Sequence, residues 1–175
     1  EMEINSNTGD LMSECAVTGS VSAEINTGDV TLIGLSGDKI NVSANTGDIL
    51  LDSINCSNAK VKSTTGSIEL GAVHISGDAD FKTETGRISL ADVLIAGKLT
   101  AVSGTDDVEL NGIDADEIYI ETNTGSIVGT VLSEKIFLTE TNVGDIDVPD
   151  TSSGGKCELK TNTGDISVTI SQGEV

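Results

Sequence analysis

The sequence is poor in aromatic residues, proline and long apolar runs. Of its 175 residues only 2% are aromatic, tryptophan is absent and Pro149 is the single proline. The 37% of hydrophobic residues are therefore mostly valine, isoleucine, leucine and alanine, of which the β-branched types favour strands. No apolar run approaches the roughly 18 residues that a membrane-spanning helix requires.

Positive charge is also scarce, because 9 Lys and Arg face 29 Asp and Glu, which gives a net charge of −20. Such a surface repels nucleic acid and anionic lipid, so charged partners should be cations or basic surfaces. The three cysteines, Cys15, Cys56 and Cys157, match neither a disulfide framework nor a zinc spacing. We expect them to be small buried fillers of the core.

What the chain has in abundance is one short motif, Asn-Thr-Gly-Asp, repeated at a fixed spacing. Intact copies stand at residues 7–10, 26–29, 45–48 and 162–165, near copies at 64–67, 84–87, 123–126 and 142–145, and a degenerate copy without the turn glycine at 104–107. Successive copies are 19 or 20 residues apart. A period of this size indicates a stack of one repeated unit.

Within a unit the pattern is that of strands and turns. In residues 26–44 the motif forms a turn, and the residues after it and before the next motif alternate between apolar and polar side chains. No helical periodicity competes with this alternation. The sequence therefore predicts an all-β fold: a single-stranded β-helix, or parallel β-solenoid, of about nine coils of 19–20 residues. The preference of parallel crossovers predicts the right-handed form.

Stacked coils should bring like residues together in ladders. Asparagines are expected to stack in two runs, Asn7, Asn26 and Asn45, then Asn123, Asn142 and Asn162. Around Ile136 and Leu138 the alignment puts apolar side chains outward and Thr139 inward, which indicates either a bulge or a small exposed patch. We expect residues 1–175 to form one domain that was cut from a longer, membrane-anchored protein.

The repeated Thr-Gly-Asp-Ile motif, followed by alternating apolar residues, resembles the DUF4097 family of bacterial proteins described as adhesins. The resemblance extends from about Ile4 to Ile170, with a departure at residues 104–107. It implies a β-helical domain on the outer side of a membrane, often joined to a membrane segment. It implies no catalytic residue.

Catalysis is not expected from the residue inventory. A β-helix that cleaves acidic polysaccharides needs clustered carboxylates with Lys or Arg, usually on long loops, and sugar-stacking aromatics. Here Arg87 is the only arginine, His74 the only histidine and Tyr119 the only tyrosine, and no repeat carries a long insertion. His74 should face solvent, and Arg87 should partly neutralise the column of turn aspartates.

Binding of a divalent cation is a more specific alternative to catalysis. Asp10, Asp29 and Asp48 occupy the same turn position in consecutive repeats, about 4.8 Å apart if the coils stack. Ca²⁺ would relieve their mutual repulsion, but later positions in the column are Ser67 and Arg87. These three aspartates are weak metal candidates, and no cofactor is otherwise predicted.

The function that follows is that of a non-catalytic extracellular interaction or scaffold domain, an adhesin at the cell surface. Its partner would be a protein or a surface glycan, and its open ends could also pair with a second copy of the chain. A calcium-dependent binding domain is the first alternative, and a polysaccharide-acting enzyme the second.

Overall fold

The computed structural model describes residues 2–14 and 19–171, and this part of the chain consists of strands and turns without a helix. Its strands are β1 (Met2–Thr8), β2 (Leu11–Ser13), β3 (Val21–Thr27), β4 (Val30–Ile33), β5 (Ser36–Thr46), β6 (Ile49–Asp52), β7 (Asn55–Thr65), β8 (Ile68–Ile75), β9 (Ala79–Thr85), β10 (Ile88–Ser103), β11 (Val108–Thr124), β12 (Ile127–Val131), β13 (Lys135–Val143), β14 (Ile146–Asp147), β15 (Gly155–Thr163) and β16 (Ile166–Ile170).

Every strand pairing in the described chain is parallel and joins equivalent positions of two repeats. Ile49, for example, pairs with Val30 on one side and with Ile68 on the other. The predicted β-solenoid is therefore confirmed.

Each level of the stack has a strand before the Asn-Thr-Gly-Asp turn and a strand after it. The pre-turn side consists of β1, β3, β5, β7, β9, the second halves of β10 and β11, then β15 and β13; the post-turn side consists of β2, β4, β6, β8, the first halves of β10 and β11, then β12, β16 and β14. These nine levels amount to about eight full turns. At about 4.8 Å per level the rod is roughly 40 Å long.

The core is a set of apolar columns that run along the rod. In the column directly after the turn, Val30, Ile49, Ile68 and Ile88 are completely buried. The last column before the turn contains buried hydroxyls from Ser63 onward, whereas Ile25 and Ala44 occupy it in the second and third levels. Thr83 shows their role, because its Oγ1 donates to the carbonyl oxygen of Gly66 at 2.9 Å. Such bonds satisfy turn carbonyls that the sheet does not use, which explains why this column is hydroxylic.

The degenerate turn at 104–107 keeps the repeat in register by a different set of bonds. Ser103 Oγ accepts from the Asp106 backbone at 3.2 Å, and Asp106 Oδ1 accepts from the Asp107 backbone at 2.8 Å. After the turn, Val108 still pairs with Ile88, so the missing glycine does not shift the ladder.

The last two coils lie out of chain order, which corrects the expectation that each winding rests on the one before it. Strand β15 pairs with β11 on one side and with β13 on the other, and β16 lies likewise between β12 and β14. Residues 155–170 therefore form the eighth level, and residues 135–147, although earlier in the chain, form the ninth.

The connection between these two coils has the residues that such a reversal requires. Pro149 follows the two-residue strand β14 and has no N–H to donate to a ladder. At Gly154, where φ is +99°, a Cβ would lie 1.7 Å from the carbonyl oxygen of Glu134. Only glycine lets the chain pass this close as it returns beneath the outer level.

The outer level accounts for the anomaly at Ile136 and Leu138. Strand β13 pairs with β15 without a register shift, so the predicted bulge is absent. Ile136 and Leu138 point outward and are 41% and 47% exposed, which confirms the alternative prediction of an exposed patch. Thr139 faces the rod interior in a column that is apolar elsewhere, and it is half-buried because no described level covers it.

Candidate interaction surfaces

The turn edge of the rod, where the Asn-Thr-Gly-Asp motifs stack, is held by close backbone contact. At Gly28, where φ is +141°, a Cβ would lie 2.3 Å from the carbonyl oxygen of Gly9. Glycine is required there both for its positive φ and for the approach of the next coil. Gly28 in turn donates its N–H to the carbonyl of Thr46 at 2.9 Å.

The asparagine ladder is present, with its second run reordered. Nδ2 of Asn26 donates to Oδ1 of Asn7 at 3.1 Å, and Nδ2 of Asn45 donates to Oδ1 of Asn26 at 3.3 Å. In the other run Asn142 donates directly to Asn162 at 2.6 Å, because residue 162 lies on the inner level. The ladder is structural, as cross-β amide stacks are.

The three metal candidates form a column whose carboxylates bond to backbone. Oδ1 of Asp10 accepts from the N–H of Asp29 at 3.0 Å, Oδ1 of Asp29 from Asp48 at 2.8 Å, and Oδ1 of Asp48 from Ser67 at 2.7 Å. The structure thus stacks these aspartates as predicted and gives one oxygen of each a coil-to-coil hydrogen bond. The described part of the chain contains no cluster of three or more His, Cys, Asp or Glu side chains suited to a metal ion.

Arg87 neutralises Asp107 in the same column and Glu109 beside that column. Its guanidinium lies 3.9 Å from Oδ2 of Asp107 and 3.0 Å from Oε1 of Glu109. The predicted role as a partial counter-charge is confirmed. His74 is exposed, also as predicted.

The pre-turn side carries most of the positive charge of the molecule. Seven of the nine Lys and Arg side chains lie on its outer face: Lys39, Lys60, Lys62, Lys82, Lys98, Lys156 and Lys160. We call this set the lysine face. Four of these lysines, Lys39, Lys60, Lys82 and Lys98, line an open recess of about 640 Å³ together with Asp78 and Asp80. In the sequence each of these lysines stands next to a buried apolar residue, as Lys60 and Lys62 flank Val61, so their outward position could have been predicted. The net charge alone did not indicate it.

Two features organise the far end of the lysine face. Glu158 lies between Lys156 and Lys160, at 2.5 and 2.7 Å, and hydrogen bonds from these two ammonium groups lower the pKa of Glu158 to about 2. Tyr119 has the ammonium groups of Lys98 and Lys160 at 5.8 and 6.0 Å from its ring centroid, within cation–π range. A hydrogen bond from the Tyr119 hydroxyl to Glu121 raises the pKa of Tyr119.

A buried lysine on another side of the rod was missed by sequence reasoning. Lys135 is 4% exposed; its Nζ lies 2.6 Å from Oδ1 of Asp114 and 2.5 Å from Oγ of Ser133, which itself donates to Asp114. The sequence does contain a signal for its burial. Lys135 stands two residues before the inward-facing Phe137, and strand residues two apart face the same side.

This cluster is at one wall of an open lateral recess of about 850 Å³, which His74 also lines. A buried ammonium must be paired to be tolerated, and Asp114 supplies the charge. The contacts of Lys135 with Asp114 and Ser133 therefore have a structural role, since they compensate a charge that is buried in the outermost level.

Two thiols are small parts of the core, as predicted. Cys56 and Cys157 are buried and free, and burial raises their pKa values to about 11 and about 12. Cys15 lies outside the described residues. No helix in the described chain has the length and apolarity to cross a membrane.

Parallel in-register coils, glycine turns and stacked amide ladders define the class of the molecule as a single-chain β-solenoid. The chain belongs to the Toastrack DUF4097 family, whose profile matches residues 1–105. Residues 106–170 continue the same repeat through the reordered end. No curated protein and no solved structure matches the chain.

Proposed function

We propose that this chain is a non-catalytic interaction domain, a stiff rod held at the outer surface of a cell as part of a membrane-anchored protein with an adhesin-type role. The observation that carries the proposal is the gathering of the lysines on one side of the rod, where they lie among carboxylates such as Glu84 and Glu117. Aspartates dominate the turn edge, whereas the lysine face gathers seven of nine positive charges on one side. A charge pattern of this kind orients and selects a partner more than it stabilises a fold.

The lysine face also carries carboxylates, such as Asp80, Glu84 and Glu117, but its charges are not all paired. Lys62 and Lys82 are paired in register on adjacent strands, where like charges repel each other. Lys82 lies 3.5 Å from Asp80, but Lys62 has no ion pair within 4.0 Å among the described residues. An anionic partner would relieve this repulsion. We therefore propose that this face contacts an acidic polymer of the cell envelope, such as an anionic glycan.

The non-catalytic part of the proposal is supported by what the polar clusters do. The carboxylates of the turn edge accept backbone N–H groups, and the Lys135 cluster satisfies a charge that is already buried. The two recesses described above are open to solvent. Water-excluded chemistry needs a closed or closable site.

The location is tested on intact cells of the organism that makes the protein. An externally added protease or a membrane-impermeant label should reach the domain without lysis. Protection of the domain until the cells are opened would contradict a surface role.

The binding face is tested by charge reversal with a matched control. The triple variant Lys60→Glu, Lys62→Glu and Lys82→Glu should lose retention of the isolated chain on cell envelopes, and the triple variant with arginine at the same positions should keep it. Equal retention of both variants would show that the lysine face does not bind, even if the location is as proposed.

A further inference from the structure

The regular spacing of the repeat allows the last two coils to be wound in either order. The turn motifs at residues 123–126, 142–145 and 162–165 follow one another at 19 and 20 residues, as the earlier copies do. Coils of this length each rest on the preceding coil throughout the first seven levels. In such a simple winding residues 135–147 would form the eighth level and residues 155–170 the ninth. The structure has the exchanged winding instead, so a property other than chain length selects the order.

Pro149 disfavours the simple winding. On the post-turn side Thr130 of the seventh level pairs with Thr169 of the eighth in a parallel ladder, and Pro149 is the equivalent of these two threonines in the repeat. In a simple winding Pro149 would stand between them, and a residue without an N–H is not accommodated in the middle of a sheet. On the ninth level it lies just beyond the two-residue strand β14, outside the ladder.

Thr139 acts in the same direction in the core. Its column contains Ile120 on the seventh level and Leu159 on the eighth, and both side chains are fully buried. In a simple winding Thr139 would lie between them, with its hydroxyl among apolar side chains. Burial of a hydroxyl in such surroundings destabilises a fold. On the ninth level Thr139 is only half-buried.

Gly155 favours the exchanged winding. A Cβ at Gly155 would lie 2.1 Å from the carbonyl oxygen of Asp116 on the seventh level. Lys135 is the equivalent of Gly155 in the repeat and pairs with it. In a simple winding Lys135 would take the place beside Asp116, where the close approach of the backbones suits a glycine.

The outward charges agree with the exchanged winding. On the pre-turn side Glu121, Lys160 and Glu140 are in register on the seventh, eighth and ninth levels, so the lysine lies between two carboxylates. Nζ of Lys160 lies 3.9 Å from Oε2 of Glu140. In a simple winding Glu121 and Glu140 would be direct neighbours, and like charges on adjacent strands repel each other.

We propose that the last two coils form a conformational switch, in which the chain has two alternative windings and Thr139, Pro149 and Gly155 select the exchanged one. Both windings stack equivalent positions of the repeat, so most contacts of one have a counterpart in the other. Two packings of one sequence that are so alike differ by a small free energy, and a few local groups decide between them.

The order of the levels determines what surrounds Tyr119 on the lysine face. In the exchanged winding Tyr119 pairs with Glu158, and Nζ of Lys160 lies 6.0 Å from the centroid of its ring. In the simple winding Leu138 would take the place of Glu158, and Lys160 would lie one level farther away. A change of winding would therefore replace a charged surface by a partly apolar one without unfolding the first seven levels. The switch does not rest on the function proposed above, because its evidence lies in the core and the ladders.

Two pairs of cysteines distinguish the windings, each in a Cys15→Ser background. Thr124→Cys with Thr163→Cys joins residues that are in register on adjacent levels of the exchanged winding, and we call their bridge the exchanged-winding disulfide. Thr124→Cys with Val143→Cys gives the simple-winding disulfide, since these residues are now two levels, or about 9.6 Å, apart and beyond disulfide reach. All three positions are exposed on the turn edge. Mild oxidation of the parent chain should give the first disulfide and not the second.

The test variant carries Thr139→Val and Pro149→Thr, which are residue types that the inner levels contain at these positions. Its yield of the simple-winding disulfide should rise at least about tenfold over that of the parent chain. Adding Gly155→Ala should raise this yield further and lower that of the exchanged-winding disulfide. Gly155→Ala alone is the control, and it should lower Tm without giving the simple-winding disulfide, because Thr139 and Pro149 still disfavour that winding.

Three results would overturn the proposal. A simple-winding disulfide in the parent chain would show that the exchanged order is not selected. A test variant that forms only the exchanged-winding disulfide would show that the chain has no second winding. Loss of cooperative thermal unfolding in the test variant would also count against it, because neither replacement is foreign to an inner level.

Discussion

Asp145 donates its backbone N–H to Oδ1 of Asp165 at 2.9 Å, although Asp165 comes 20 residues later in the chain. In the first half of the rod the direction is the opposite, and the later residue donates to the earlier one, as Asp29 does to Asp10. The hydrogen bond between Asp145 and Asp165 therefore reflects the exchange of the last two levels. The polarity of the ladder is constant along the rod, and only the order in which the chain visits the levels has changed.

The first prediction concerns the turn glycines. Gly47→Ala places a Cβ 2.1 Å from the carbonyl oxygen of Gly28, whereas Gly9→Ala, also at a positive φ, meets nothing within 4 Å. Both pay the backbone strain of roughly 1 kcal/mol, and Gly47→Ala should lose roughly 3 kcal/mol or more in total. Thermal melts at low protein concentration should show a drop in Tm several degrees larger for Gly47→Ala. Equal drops would mean that the coils do not press on each other at the glycines.

The second prediction follows from the depressed pKa of Glu158, about 2 against an ordinary 4.5, caused by Lys156 and Lys160. A carboxyl with a lowered folded-state pKa contributes stability above its unfolded pKa and loses that stability as pH falls through the folded pKa. The Tm difference between the parent chain and Glu158→Gln should therefore be constant above about pH 5 and shrink between pH 4.5 and 2. Glu117→Gln, on the same side of the rod, is the control. A pH-independent difference would contradict the assignment.

The third prediction concerns thiol reactivity. Because burial raises the pKa of Cys56 to about 11 and that of Cys157 to about 12, almost none of either thiol is ionised at pH 8. In a Cys15→Ser background a disulfide reagent should react with no thiol in native protein and with two in denaturant. Rapid reaction of the native chain would show that these columns are open to solvent.

The fourth prediction addresses Ca²⁺ at Asp10, Asp29 and Asp48. We expect Ca²⁺ to raise Tm no more than Mg²⁺ or a salt of matched ionic strength, because one oxygen of each carboxylate already accepts a backbone N–H. A larger shift with Ca²⁺ that disappears in Asp29→Asn, which keeps the Oδ1 acceptor, would establish a specific site and favour a calcium-dependent function.

The ladders could be predicted from the sequence because the repeat fixes them. With a period of 19–20 residues and Ile, Val and Leu in the same columns, stacked coils place Ile49 between Val30 and Ile68. The same regularity made the level order unpredictable, since equivalent columns let any coil fit beside any other. Pro149 and the inward Lys135 and Thr139 mark an end coil, but this role is visible only once the order of the levels is known.

The surfaces were harder to predict than the core. Outward-facing positions tolerate many residue types, so no repeated pattern marks the lysines in the sequence. The net charge of −20 therefore concealed the lysine face. The acidic column at the turns was correctly placed, but its hydrogen bonds to backbone depend on the exact offset of neighbouring coils. That offset comes from the packing of the columns beneath.

The exchange of the last two levels bears on how the molecule comes apart. A rod wound in simple order can unravel one coil at a time from its carboxyl end. Here strands β15 and β16 are clamped from above by β13 and β14 and from below by β11 and β12. A force applied to the chain after β16 must pull this coil out from between two neighbouring levels. The coil formed by β15 and β16 is therefore protected from unravelling.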